Sequence, residues 1–360
     1  MSNARNLANL LGTGTQITTA DITDGAFQAN KNLIINGAMQ VWQRGTSFTG
    51  ITGGQFNGPD RFMNILQTAG TWTVSQSTTA PDGFGKSLKW ECTTADASLA
   101  AGDYFFAAQR MEGQNLQQLK KGTASAESVT LSFWVRSSKT GTYIAELEDK
   151  DNTRSISKSY TVSSVDTWEY KTLTFSGDTV GTLDDDNNRS MDVNFWLAAS
   201  STYTSGTLAT SWDATTASNR AVGQVNLADT VGNYWQITGI QLEVGDTATP
   251  FEHRSYADEL ARCQRYYSEL SWPSNHFIFD GETSTSVYYH YDRSLPVKMR
   301  ATPSSSVKSG SVVTSNIGDG GVSQVSAVSD DLVLEQRRPS STSRSYAYLS
   351  NFTMAYDAEL

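Results

Sequence analysis

Histidine and cysteine are almost missing from this chain of 360 residues, which has three of the first and two of the second. Cys92 and Cys263 lie far apart and form none of the paired spacings that hold zinc, so neither a metal knuckle nor a disulfide framework is open to the chain. Both read as small buried hydrophobes. His253, His276 and His290 are scattered, with no carboxylate or cysteine at triad or ligand spacing, and no catalytic or metal-ligating residue is assigned. His253 reads as a surface or capping residue. Gly12-Thr13-Gly14 lacks the flanking strand and third glycine of a phosphate-cradling loop.

Positive charge is also short. With 27 basic and 37 acidic residues the net charge is −10, so the chain has no bulk attraction for phosphate backbones or anionic lipid. Nucleic acid is therefore not an expected partner. The densest basic pair, Arg337-Arg338, reads as a solvated turn. No apolar run approaches the roughly 20 residues that cross a bilayer, and the first residues lack the basic-then-apolar pattern of a signal peptide. The expectation is a soluble protein without membrane insertion, made in a cytoplasm.

What the chain does have is strands. Charged residues reach only 18%, while Ser, Thr, Gly and Asn abound, a profile of strands with polar outer faces and many turns. Runs rich in β-branched and aromatic residues occupy 33–42, 61–67, 71–76, 87–93, 103–110, 129–137, 142–149, 155–162, 167–175, 191–198 and 233–244. A single helical turn fits 114–119. Turn signals such as Gly53-Gly54, Pro81-Asp82-Gly83 and Lys139-Thr140-Gly141 separate the runs. Many short strands without intervening helices predict an all-β fold, an antiparallel jelly-roll sandwich of about ten strands in two sheets. There is no internal repeat of the kind that builds a propeller or solenoid.

One helix interrupts the pattern. Gly245-Asp246 and Pro250 end the preceding strand, and Ser255 three residues before Asp258 forms a capping box. Tyr256, Leu260, Cys263, Tyr267 and Leu270 then recur at steps of four and three, which predicts a linking helix over 254–270. This seam either caps the first domain's sheet through Leu260 and Cys263 or sits on a three-fold axis between subunits. Beyond it, 276–281, 285–291, 303–308, 321–328, 331–336 and 345–356 are candidate strands of a smaller C-terminal β domain, 271–360. Residues 1–30 are Gly/Thr/Asp-rich and cannot bury a core alone. Composition leaves them either an attachment arm or a disordered tail.

Three segments carry a family resemblance: NLIINGAMQVWQRG (32–45), LSFWVRSSKTGTY (131–143) and ITGIQLEVGDTATPFEHRSYADELARCQRYY (237–267). They are similar to segments of bacteriophage tail-fibre and other virion appendage proteins. The resemblance covers roughly 31–270, and LPVKMRATP (295–303) extends it. It implies that 31–253 is a jelly roll like those of carbohydrate-binding modules, with 1–30 an arm attaching to other virion proteins. It further implies a homotrimer in the virion, at the tail before the head surface, synthesised in the host cytoplasm and binding host surface glycans. A capsid head fibre or decoration protein with an architectural role is the runner-up, and a glycan-degrading tailspike comes after it. Jelly rolls of this kind often carry a structural calcium, which names no ligands here. The acidic runs 148–152 and 183–188 do not follow the EF-hand order and read as solvated turns. No cofactor is assigned.

Aromatic residues supply the candidate site, because sugars lie with their C–H faces on aromatic rings while nearby polar groups bind their hydroxyls. Alternation along 129–137 puts Leu131, Phe133 and Val135 in the core, with Trp134 and Arg136 facing away. Alternation along 191–198 buries Val193, Phe195 and Leu197, with Asn194 and Trp196 facing away. If both strands share one concave sheet, Trp134, Arg136, Asn194 and Trp196 line a glycan groove; otherwise the tryptophans pack under a loop or a neighbouring subunit. Trp272, Tyr288, Tyr289 and Tyr291 make a second candidate surface.

Overall fold

The structure, a computed structural model, describes residues 30–272, 276–282, 289–315, 324–327, 332–337 and 344–360, with side chains for 30–271, 294–309 and 353–360. The arm assigned to 1–30 thus lies outside the described residues except for Asn30. So do the side chains of Trp272, Tyr288, Tyr289 and Tyr291.

Twelve strands precede the helix: β1 (Ser47–Ile51), β2 (Phe62–Gln67), β3 (Thr71–Ser77), β4 (Ser87–Thr94), β5 (Tyr104–Glu112), β6 (Val129–Ser137), β7 (Gly141–Asp149), β8 (Arg154–Val162), β9 (Glu169–Phe175), β10 (Arg189–Ala199), β11 (Asp213–Ala214) and β12 (Tyr234–Val244). They form two six-stranded sheets, β1-β3-β4-β12-β6-β9 and β11-β8-β7-β10-β5-β2. Every pairing among them is antiparallel. Alternating strands send one residue in two between the sheets, and the aromatics meet there. Trp72 of β3 lies 4.7 Å from Phe105 of β5, and Phe133 of β6 lies 5.2 Å from Phe195 of β10. Trp72, Trp90, Trp235, Phe105 and Phe133 are fully buried in this one core. The fold is an antiparallel jelly-roll sandwich, followed by one linking helix and a smaller β region.

The strand expected over 33–42 does not form. Asn36 and Met39 adopt left-handed backbone (φ 61° and 57°), where the Asn36 side chain braces a turn: its Nδ2 donates to Val41 O and Asp60 O, and its Oδ1 accepts from Gln40 N and Val41 N. Local bonding of this kind competes with a ladder and wins. Ile34, Met39, Val41 and Trp42 of the run are still buried, so its composition signals burial rather than extended pairing.

The helix α1 (Tyr256–Gln264) begins where the capping box places it, with Ser255 Oγ accepting from Asp258 N at 3.2 Å. It stops six residues short of the expected end. Arg265 leaves the helix to pair with Glu112 of β5 at 2.6 Å, and Tyr267 starts β13 (Tyr267–Trp272). Tyr267 and Leu270, which continued the helical spacing, are buried from that strand instead. Cys263 is the buried residue of α1.

The remaining strands are β14 (His276–Glu282), β15 (Tyr289–Ser294), β16 (Ser304–Ser315), β17 (Gln324–Ala327), β18 (Leu332–Arg337) and β19 (Arg344–Asp357). β13 and β14 flank successive stretches of β19, β16 pairs with it as well, and β15-β18-β17 form a separate small sheet. An arginine cluster fastens this region to the jelly roll. Arg44 reaches Asp357 and Glu359 at 3.2 Å, Arg61 pairs with Glu359, and Arg300 Nη1 donates to Asn187 O at 3.1 Å. The Arg61 guanidinium stacks 3.4 Å over the Tyr266 ring and is itself buried.

Candidate functional site

The two outward faces of the sandwich are covered to different extents. On the β2–β11 sheet, Asn194 and Trp196 of β10 do point away from the core, but both are 0% exposed. The segment 201–224 crosses over them. Ser157 N donates to Ala209 O at 2.7 Å, and Arg220 brings its guanidinium down between Glu146 and Glu148 at 2.7 and 2.9 Å. Trp196 Nε1 and Asn194 Nδ2 each donate to Glu146 Oε2 at 3.1 Å, and Arg220 lies 5.2 Å over the Trp196 ring. Burial pushes the Glu146 carboxyl upward, with Arg220 opposing it. Burial works against the Arg220 charge, yet the two glutamates outweigh it and the net shift is up. This is a closed ion cluster in which Asn194 Oδ1 alone has no partner and the carboxylates, already held by a cation, are not free to act on a ligand.

The expected four-residue groove is therefore not assembled. β6 belongs to one sheet and β10 to the other, so Trp134 and Arg136 face solvent on one side while Asn194 and Trp196 lie under a loop on the opposite side. The register could not be read from either strand alone. Each alternation was read correctly, but nothing local says which sheet a strand joins.

On the β1–β9 sheet the outward face is polar and only partly covered. Ser132, Thr238 and Gln241 are buried, with Thr238 Oγ1 donating to Lys86 O and Gln241 Nε2 to Thr249 O, whereas Trp134 and Arg136 are half-buried and Tyr170 is exposed. Register places Trp134 between Tyr170 of β9 and Thr238 of β12, and Arg136 beside Gln236. Trp134 and Tyr170 pair at 5.2 Å, and Tyr170 is 45% exposed. One row along, Arg136 Nη1 donates to Gln236 Oε1 at 2.8 Å and its Nε to Asp166 O at 2.9 Å, while its guanidinium lies 5.1 Å over Tyr234. Burial and the bond to Asp166 push the Tyr234 phenol up to about 12.

Beside Trp134 the sheet is interrupted by a bulge between Thr238 and Gln241, and Gly239 sits there at φ +63°. A Cβ on Gly239 would come within 2.6 Å of the Phe84 ring, so glycine lets that ring lie on the strand. Phe84 arrives on a tight turn in which Phe84 N donates to Pro81 O at 3.1 Å with Gly83 at φ +88°. Phe251 and His253, from the crossing before α1, pack against it, Phe251 edge-on and His253 tilted, with centroids 5.0 and 5.3 Å away. His253 is exposed, as expected, and it is Ser255 that caps the helix. Together Trp134, Tyr170, Phe84 and Phe251 wall an open cleft of about 370 Å³, with Ser132 and Asp82 among its polar lining. Phe84, Tyr170 and Phe251 were not singled out from sequence. Gly83 and Pro250 marked their loops as turns, but only the fold brings those loops to Trp134.

In the acidic runs considered for calcium, Glu148, Asp149, Asp151 and Asp186 are engaged by the protein, and the exposed Asp184 and Asp185 project to solvent. Asp149 and Asp178 hold the buried Lys121 ammonium between them, which also donates to Gly181 O at 3.0 Å. Glu148 pairs with Lys150 and Arg220, Asp151 accepts from Asp184 N, and Asp186 accepts from Asn188 N. Among the described residues no group of three or more His, Cys, Asp or Glu is placed to hold a metal ion.

No family model matches the chain, and no curated protein matches it either. Among solved structures it is similar to the enzymatically active domain of tailspike protein 4 of bacteriophage CBA120, at 15% identity and a TM-score of 0.32, over 59% of this chain and 21% of that one. It is also similar to the family 11 carbohydrate-binding module of Clostridium thermocellum, solved with a mixed-linked tetrasaccharide, at 11% identity and a TM-score of 0.30, over 57% of this chain and 98% of that one. A xylan-binding domain of family 22 gives 13% identity and a TM-score of 0.29, over 58% of this chain and 100% of that one. The match thus spans about a fifth of the tailspike chain. At such scores the strand order, not the likeness, assigns the fold.

Proposed function

We propose that this chain is a non-enzymatic phage virion protein, a tail fibre or tail appendage, whose jelly roll binds host surface glycans through the Trp134 cleft. The observation that carries the reading is the cleft itself: the exposed Tyr170 ring and the half-buried Trp134, Phe84 and Phe251 rings, beside a serine, a carboxylate and the His253 imidazole. Rings of this kind take the apolar face of a pyranose, and the polar groups between them bind its hydroxyls. Affinity at a single shallow cleft is modest, and several copies in one fibre raise it by avidity. Residues 1–30 would attach the fibre to other virion proteins, and a trimer would present three clefts.

Hydrolysis finds no support at this site. Asp82 is the only carboxylate among the described residues lining the cleft, and a glycosidase needs two across the scissile bond. The test is an array of host surface polysaccharides probed with the purified protein and with a Trp134→Ala/Tyr170→Ala variant. The reading expects retention by the first and none by the second. Absence of retention by the wild type, with antibody labelling at the phage head, would replace it with the architectural role. Release of new reducing ends would replace it with the tailspike.

A further inference from the structure

From the same cleft, and resting on the reading that it binds glycan, we infer the ligand class: a short neutral saccharide, with Asp82 as the residue that sets this specificity. The tight turn Pro81–Phe84 holds Asp82 at the rim, where Gly83 supplies the required backbone and the aspartate side chain plays no part in the turn. Neither the Asp82 carboxylate nor the Ser132 hydroxyl makes a hydrogen bond or ion pair with another described residue. Several other surface carboxylates are matched by lysine, as Glu91 is by Lys89 and Glu169 by Lys171, whereas Asp82 is not matched by any described residue. An unmatched carboxylate is acceptor-only, and its two oxygens suit a pair of neighbouring sugar hydroxyls.

Charge then decides between sugar classes. No lysine or arginine lines the cleft. The nearest cation along β6, Arg136, is committed to Gln236, Asp166 and the Tyr234 ring one row away. A uronate or sialate would bring a second negative charge beside Asp82 with no lysine or arginine in the lining to offset it, the His253 imidazole being the one basic side chain among the lining residues, which disfavours binding. Size sets the length. About 370 Å³ is at the low end for small-ligand sites, so the cleft holds one or two pyranose rings rather than a long segment of polymer.

The experiment uses the whole chain on an array of neutral, uronate-containing and sialate-containing oligosaccharides of increasing length, with Asp82→Asn, Asp82→Lys and Trp134→Ala beside the wild type. Thermal melts establish that each variant is folded. The expected result is wild-type retention of neutral oligosaccharides, with affinity level from the disaccharide upward. Asp82→Asn should weaken neutral binding about tenfold, and Asp82→Lys should bring acidic oligosaccharides onto the protein. Wild-type retention of acidic sugars, affinity that keeps rising to the hexasaccharide, or an Asp82→Lys variant with unchanged selectivity would overturn the inference while glycan binding at the cleft stands. Failure of the wild type to retain any sugar, or full retention by Trp134→Ala, would overturn the underlying reading itself.

Discussion

Replacing Lys121 with methionine keeps the length of the side chain and removes its charge, which isolates the ammonium's part in holding four segments together. That ammonium is 4% exposed and lies between Asp149 and Asp178, which are 0% and 3% exposed at their side chains. It also donates to Val180 O and Gly181 O at 3.3 and 3.0 Å and sits 4.9 Å over the Trp212 ring. Asp178 keeps a second partner in Arg154, at 2.7 Å, and Asp149 keeps only the uncharged donors of Asn152. Breaking one side of a buried pair typically costs about 3–5 kcal/mol, because the stranded charge stays out of water. For a unit of this size that lowers Tm by roughly 10 °C. Differential scanning calorimetry measures it directly, with Lys120→Met as control, since the Lys120–Glu127 pair is half exposed and worth less than about 1 kcal/mol. Adding Asp149→Asn to Lys121→Met should return most of the loss. A Lys121→Met protein that melts with the wild type, or a double variant no better than the single, would refute the reasoning.

Arg220→Met should loosen the segment 201–224 from the sheet beneath it, because Glu146 loses its cation. Limited proteolysis should then cut within 201–224 at least about tenfold faster, and unchanged cutting would contradict the latch. Gly239→Ala puts a Cβ 2.6 Å from Phe84 at φ +63°, so it should cost about 1–3 kcal/mol in thermal melts and weaken glycan retention with it. Burial pushes the Asp60 carboxyl up to about 6 against the opposing bonds from Gln43 and the charge of Arg44. A raised carboxyl favours folding at low pH and loses that contribution as pH climbs from about 4 to about 6. Relative to Asp60→Asn, the wild type should therefore gain stability on acidification through that window, by up to about 3 kcal/mol. Denaturant titrations at pH 4 and pH 7 measure it, and a difference that does not change with pH would contradict the assignment.

Strand positions were legible because alternation in β6 and β10 is strong and the turn residues between strands are explicit. The exceptions have physical causes. In 33–42 an asparagine supplied local hydrogen bonds that a ladder could not better, and after Gln264 the helical spacing of Tyr267 and Leu270 was shared by a strand with the same buried residues. At the site, one residue's direction was readable and its company was not. Trp134 and Trp196 have the same local pattern, yet one faces an open cleft and the other lies beneath Arg220. Sheet membership and loop coverage come from contacts more than a hundred residues apart, such as β12 with β4, and no short window contains them.

Hydrogen–deuterium exchange on the full chain, with and without the oligosaccharide that the array selects, asks where the sugar sits. The account predicts added protection in β6, β9 and β12 and in the loops carrying Phe84 and Phe251, with exchange in β5, β7 and β10 unchanged. Protection confined to β5, β7 and β10 and the 201–224 segment over them would place the ligand on the opposite face and contradict it.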